Sequence, residues 1–244
     1  MDVAPPDLVP VVEATWPPLR IFRAGPWRMK EGAGGGSRVS SATAEAPVTA
    51  EDLALLHHEA RALGQHPQVM VRQDETALDA LLDRAGWQVL DPTRLYLAPV
   101  RAVAAPVEPV RVFPHWPRLA ITEDIWAEAG TGPARLAVMD RAAGRKAAIL
   151  SRTDDTPSGA AFVALHGDTA MIHAVEVSPR FRRRGVGRQI VQAAANWAQD
   201  VGAAWFSLAV TERNAAARAL YASLNMQDVG HYHYRSAPGE ARAE

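Results

Sequence analysis

The sequence predicts an α/β protein built on a twisted sheet of mixed strand direction. Two observations carry this. In the second half, short apolar runs of strand length alternate with longer runs of helical spacing, ending in the order strand, helix, strand, helix, strand. The first half repeats part of that order.

In the first half, Gly32 to Gly36 lies between two strand-like runs, 20–29 and 38–43, and reads as a flexible hairpin loop. Thr49 and Asp52 offer an N-cap with its acidic partner three residues on, opening a helix that ends at Gly64. A second helical run, 77–85, leads to Gly86 and Trp87. From Pro99 to Pro117 the chain holds five prolines, at 99, 106, 109, 114 and 117. Proline lacks an N–H and disfavours helix in the residue before it, so this stretch reads as an extended linker or edge segment. The expected organisation is a first domain over 1–104, a linker over 105–115 and a second domain over 116–244.

In the second half, 118–128 and 133–142 are expected helices, with Pro133 in a first turn and Gly144 as a stop. Residues 147–152 and 159–165 read as strands joined by the turn-rich 154–158, and 170–177 as a third. A glycine-containing turn enters a helix over 186–201, where Ile190, Val191, Ala194, Ala195, Trp197 and Ala198 keep helical spacing and Gly202 ends it. A strand over 205–210, a helix over 214–224 and a strand over 227–234 follow, with right-handed crossovers. Aligning Ala80-Leu81-Leu82 with Ala219-Leu220-Tyr221 superimposes the helix–turn units of the two halves and brings Tyr96 close to Tyr234.

Composition excludes several classes. With 48% hydrophobic residues in 244, a core forms without staples, and the absence of cysteine removes disulfides, thiolate metal sites and a cysteine nucleophile together. Twenty-six Lys and Arg against 27 Asp and Glu give no basic excess of the kind that duplex binding uses. No apolar run approaches the ~20 residues that span a bilayer. The start carries Asp2, Asp7 and three prolines, unlike a basic, apolar secretion signal. A cytoplasmic protein is expected, binding neither membrane nor nucleic acid. His57, His58, His66, His231 and His233 do not make a zinc spacing, so no metal is expected.

The most informative segment runs Val177-Ser178-Pro179-Arg180-Phe181-Arg182-Arg183-Arg184-Gly185-Val186-Gly187-Arg188. A strand, a turn with two glycines and then a helix bare main-chain N–H groups at the positive helix end, where arginines add charge. A pyrophosphate suits that place. A dinucleotide turn would need a third glycine, and a P-loop a Gly-Lys-Ser/Thr. The spacing Arg182-x-x-Gly185-x-Gly187 resembles the acyl-CoA pyrophosphate loop of the GNAT (GCN5-related) N-acetyltransferases. The later run from Thr211 through Asn214 and Ala219-Leu220-Tyr221 to Asn225-Met226 resembles that family's second motif, with Asn225 where glycine is usual. Asparagine tolerates the left-handed conformation, so the departure is mild. The resemblance covers 116–235.

The resemblance implies a sheet of the GNAT type, with two tandem GNAT-like halves of which the first is degenerate. It implies acetyl-CoA as co-substrate. Main-chain groups of Val175 and Val177 would hold the pantetheine arm, and the N–H groups of Arg183, Arg184, Gly185, Val186, Gly187 and Arg188 the pyrophosphate, with Arg182 and Asn214 completing the site. It implies an acetyl transfer to a primary amine, of a small molecule or a peptide, by direct attack in a ternary complex. Tyr221 matches the family's catalytic acid. Base candidates are His173, which titrates near neutrality, and Glu176. On a regular strand His173 shares a face with Val175 and Val177 while Glu176 points away, so Glu176 serves only if a bulge re-aims it. Trp116 and Trp126 are candidates to line the acceptor pocket. In the first half, 43–48 holds Glu45 and Pro47 and no glycine where the second half has its loop, so that half is expected not to bind CoA. An acyl-CoA-binding regulatory module without turnover is the alternative, and monomer and homodimer stay open.

Overall fold

The structure is a computed structural model, and it describes residues 5–108 and 110–239. Asp2, Pro109 and the end of the expected second domain, 240–244, lie outside the described residues. In chain order the elements are α1 (Leu8–Thr15), β1 (Arg20–Ala24), β2 (Trp27–Glu31), α2 (Ser37–Ser40), β3 (Thr43–Ala44), α3 (Ala50–Ala62), β4 (Gln68–Arg72), α4 (Thr76–Arg84), β5 (Gln88–Pro99) and α5 (Val100–Val103). There follow β6 (Val112–His115), α6 (Ala120–Glu128), α7 (Pro133–Arg141), β7 (Lys146–Thr153), β8 (Thr156–His166), β9 (Thr169–Val177), α8 (Val186–Asp200), β10 (Trp205–Thr211), α9 (Ala215–Ala222) and β11 (Gln227–Ser236).

The chain divides into two compact units, and not at the prolines. The first comprises Met1–Pro17, Leu95–Val210 and Asn214–Val229, and the second Pro18–Arg94, Thr211–Arg213 and Gly230–Glu244. The expected linker 105–115 falls inside the first unit, where its last residues form β6, the edge strand. Pro114 is tolerated there because an edge strand has one unpaired side.

In the first unit the strand order is β5-β10-β9-β8-β7-β6. β9 and β10 are parallel, while β8 pairs antiparallel with both β9 and β7. The β7–β8 hairpin turns on Asp154 and Asp155, both left-handed at φ 51° and 54°, the backbone that two-residue hairpins require. Ile190, Val191 and Ala194 of α8 lie in one buried cluster with Ala161 and Val163 of β8 and Ala170 and Ile172 of β9. One residue out of phase, Phe162 meets Trp16 at 6.1 Å between ring centroids. α1 and α6 pack on β8 and β9. The helix α1 was not foreseen: its apolar face is only two turns long, and its Asp7 cap is the one local signal, accepting from the Val9 N–H at 3.0 Å.

In the second unit the run 20–29 is two strands, because Gly25 at φ 57° turns the chain back and pairs Ala24 with Trp27. The glycine run is likewise no hairpin loop. A Cβ on Gly32 would stand 2.1 Å from the Ser40 Oγ, so this glycine serves close approach, and the run leads into α2. The Gln65 side chain spans it, accepting from the Gly32 N–H at 2.7 Å and donating to the Lys30 carbonyl at 2.9 Å. Trp27, Leu56, Val69, Leu82 and Trp87 form the core.

The repeat is visible in the element order, β3-α3-β4-α4-β5 against β9-α8-β10-α9-β11. Its helix ends match bond for bond. Gln65 N–H donates to Ala60 O as Ala203 does to Ala198 O, and Trp87 to Leu82 O as Met226 does to Tyr221 O, at 2.9 to 3.2 Å. Leu82 and Tyr221 are therefore equivalent positions, as the alignment has it.

Candidate functional site

The β9–β10 ladder ends at Ile172 and Leu208, although β9 runs on to Val177. Where the strands part, a cleft of about 750 Å³ opens, lined by the end of β9, the arginine–glycine turn and α9.

The turn is built as the sequence suggests. Arg183 (φ 62°) and Gly185 (φ 83°) are left-handed, and the first amide of α8 to find a helix carbonyl is Gln189, bonded to Gly185 O at 3.1 Å. No side chain caps the helix. The amides of Val186, Gly187 and Arg188 precede that bond, and these three residues line the cleft end. The two glycines act differently. Gly185 is needed for its φ, since a Cβ there would meet open space. At Gly187 a Cβ would stand 3.3 Å from the Leu220 Cδ2 on the cleft wall. Arg182 and Arg183 also line the cleft, and the Arg182 Nε donates to the Val177 carbonyl at 3.1 Å. Arg188 donates to the Ser223 hydroxyl at 2.7 Å, and Arg184 turns to Asp154 at 3.0 Å, a surface pair.

Asn214 opens α9, its side chain accepting from the Ala217 N–H at 3.1 Å. The turn after α9 places Asn225 at φ 59°, the left-handed backbone that its substitution for glycine requires. Tyr221 lies between these ends, 6% exposed, its ring 6.0 Å from that of Tyr96. Burial, then the charge of Glu176, pushes its hydroxyl up to about 12. It is therefore a neutral O–H donor at physiological pH.

The base candidates separate. β9 carries a bulge: Ala160 faces Glu176 while Phe162 faces His173, so one extra residue is inserted, at Ala174 with φ 48°. Beyond it the strand's phase is reversed. Val175 and Val177 join the α8 cluster with Ile172, contrary to the regular alternation, and the freed Ala174 carbonyl accepts the Trp126 indole N–H at 2.8 Å. Glu176 lines the cleft with Tyr221. Its carboxyl is raised above the usual range by burial, against the opposing charges of Arg182 and Arg135. His173 is not among the lining residues. It is 4% exposed, between the rings of Trp16 and Phe162. Its Nε2 lies 2.9 Å from the Thr15 hydroxyl, which itself donates to the Val11 carbonyl at 2.6 Å. That hydroxyl can only accept from the ring, so Nε2 carries the proton and the histidine packs α1 on the sheet.

Neither tryptophan lines the cleft. Trp126 is fully buried against the bulge, and Trp116 is 37% exposed with the Lys146 ammonium 4.7 Å from its ring centre. The equivalent helix start in the second unit is closed. There the Thr49 N–H and hydroxyl both meet the Asp52 carboxylate at 2.8 Å, which lowers its pKa, and Glu45 is paired with Arg23 and Arg28.

Residues 113–226 match the acetyltransferase (GNAT) family model. That segment, just under half of the chain, is what resembles the GNAT family. Among solved structures, the chain is similar to a GCN5-related N-acetyltransferase from Kribbella flavida (20% identity, TM-score 0.72, covering 95% of this chain and 96% of that one). It is similar also to a GCN5-related N-acetyltransferase from Sphaerobacter thermophilus (15%, 0.60, 83% and 74%). A tandem GNAT protein from the clavulanic acid biosynthesis pathway superimposes over 98% of this chain and 90% of its own (13%, 0.60). At these identities the likeness is one of fold, and it is the mixed α/β sheet of the GNAT type.

Proposed function

We propose that this protein transfers acetyl from acetyl-CoA to a primary amine of a small molecule or peptide, by direct attack in a ternary complex. One observation carries the reading: an uncapped helix start, a strand parted from its neighbour, a buried tyrosine and a perturbed carboxylate share one cleft.

The residues fit the co-substrate. The amides of the cleft-lining residues Val186, Gly187 and Arg188 offer donors to a pyrophosphate with no side-chain cap in competition, and Arg183 adds positive charge. The ladder edge of Val175 and Val177 offers main-chain groups to the amides of a pantetheine arm, once Arg182 leaves the Val177 carbonyl. Acetyl-CoA, when bound, supplies the activated acyl group as a thioester. Alkyl amines have a pKa of ~10 and must lose a proton to attack. Glu176 accepts it, and its raised pKa makes it the stronger base for that task. As the new C–N bond forms and the C–S bond breaks, the Tyr221 O–H donates its proton to the departing sulfur, and the second proton that the nitrogen loses on becoming an amide restores the tyrosine. No enzyme nucleophile is required, in keeping with a chain that has no cysteine.

The test is thiol release from acetyl-CoA by purified protein across a panel of amines. CoA release dependent on one amine class, with N-acetylated product by mass, is expected. Calorimetry showing no heat with either CoA or acetyl-CoA overturns the reading. Binding without product for any amine leaves an acyl-CoA-binding module in its place.

A further inference from the structure

The bulge in β9 is held from a helix. A bulged residue leaves its carbonyl outside the ladder, and a buried carbonyl without a donor is costly. At Ala174 the donor is the Trp126 indole N–H of α6, 2.8 Å away on a fully buried side chain. Ala174 is left-handed at φ 48°, a backbone that alanine resists. The bulge therefore persists through its surroundings, and Trp126 is the side chain bonded to it. Two residues on stands Glu176. Beneath it, β8 approaches so closely that a Cβ on Gly159 would stand 2.6 Å from the Glu176 carbonyl oxygen.

We propose that Trp126 is a positioning residue for acetyl transfer: its N–H fixes the Ala174 carbonyl, and through the bulge it fixes the direction in which the Glu176 carboxylate enters the cleft. The inference rests on Glu176 serving as the base. Trp126 is not among the residues that line the cleft, so it acts through the strand. The charged and titratable groups that act on Glu176 are Arg182 from the turn, Arg135 from α7 and Tyr221 from α9. None is on α6, so a change at Trp126 reaches Glu176 through geometry rather than charge.

Trp126→Phe keeps an aromatic ring and removes the N–H. Benzothienylalanine placed at 126 keeps the bicyclic shape and removes only the N–H, and serves if the phenylalanine variant does not fold. The first readout needs no turnover: carboxyl-carbon NMR follows the Glu176 titration in protein labelled at glutamate and assigned with Glu176→Gln. Loss of the N–H is expected to loosen the bulge, admit water and move that titration down toward ordinary carboxylates. An unmoved titration in a folded variant overturns the proposal. The second readout is a double-mutant cycle. Trp126→Phe is expected to lower kcat by up to ~10²-fold with the acetyl-CoA dissociation constant within about twofold, and to cost nothing further in Glu176→Gln. An equal loss in both backgrounds overturns the positioning role. Full activity of Glu176→Gln alone instead removes Glu176 as base, and leaves the NMR result to judge the mechanical link.

Discussion

At Tyr221, burial decides chemistry. A hydroxyl held up to about 12 keeps its proton across the working range and so has an O–H to donate. Tyr221→Phe is expected to lower kcat ~10²-fold while calorimetry shows acetyl-CoA binding nearly unchanged, and undiminished turnover removes the residue from the mechanism. Glu176 adds a pH signature. The folded protein binds that proton more tightly than the unfolded chain does, so stability falls as pH rises from the unfolded carboxylate value through the higher folded one, and stays lower above it. Glu176→Gln is thus expected to melt higher than the parent at neutral pH, with the difference shrinking once both values are passed on acidification. A gap constant with pH contradicts the assignment. Gly185 and Asn225 were legible because their residue types suit one local backbone. His173 was not, since its partners Thr15 and Trp16 are distant in sequence, and no periodicity reports them.

Strands and helices carry the next level. The turn from β9 into α8 was legible because its backbone is set locally, by a few residues with glycine where φ or proximity demands it. The bulge was not: alanine at 174 gives no hint of a left-handed backbone, and the bond that satisfies it comes from another helix. The glycines at this junction separate three effects. Gly185→Ala forces a side chain into φ 83° and is expected to destabilise the fold by ~1–2 kcal/mol. Gly187→Ala meets the flexible end of Leu220 at 3.3 Å and makes an ordinary contact with the Val177 Cγ2 at 3.8 Å, so the melting temperature should hardly move while CoA affinity falls. Gly159→Ala drives a methyl to 2.6 Å from the Glu176 carbonyl and 2.7 Å from the Ile190 Cδ1, and is expected to cost ~1–3 kcal/mol in chemical denaturation. If Gly187→Ala weakened folding more than Gly185→Ala, this account of the turn would fail.

For the whole molecule, fold class and internal repeat were legible, because helical and strand spacings and paired helix ends recur along the chain. The partition was not. Prolines mark where helices cannot run, not where contacts thin out, and the segment they occupy lies within a unit. The first unit takes α1 from the far N-terminal side and Leu95–Pro99 from β5. A protein beginning at residue 105 would lack both, leaving Phe162 and His173 without Trp16 and Thr15. It is expected to be insoluble or molten, lacking the sharp near-ultraviolet circular dichroism of packed aromatics. A cooperative melt equal to that of the full chain would contradict this.

That discontinuity also sets a timetable for synthesis. β4 pairs with residues 232–236, so its edge emerges from the ribosome about 160 residues ahead of its partner, roughly 8–32 s at ~5–20 residues per second. Through that interval the side of Val69, Met70 and Val71 that β11 later covers lacks its partner strand, an apolar edge of the kind that recruits other chains, although Ala42 bonds the other side. Yield in a cell should therefore depend on holdase chaperones and on translation speed more steeply than the stability of the finished protein would suggest.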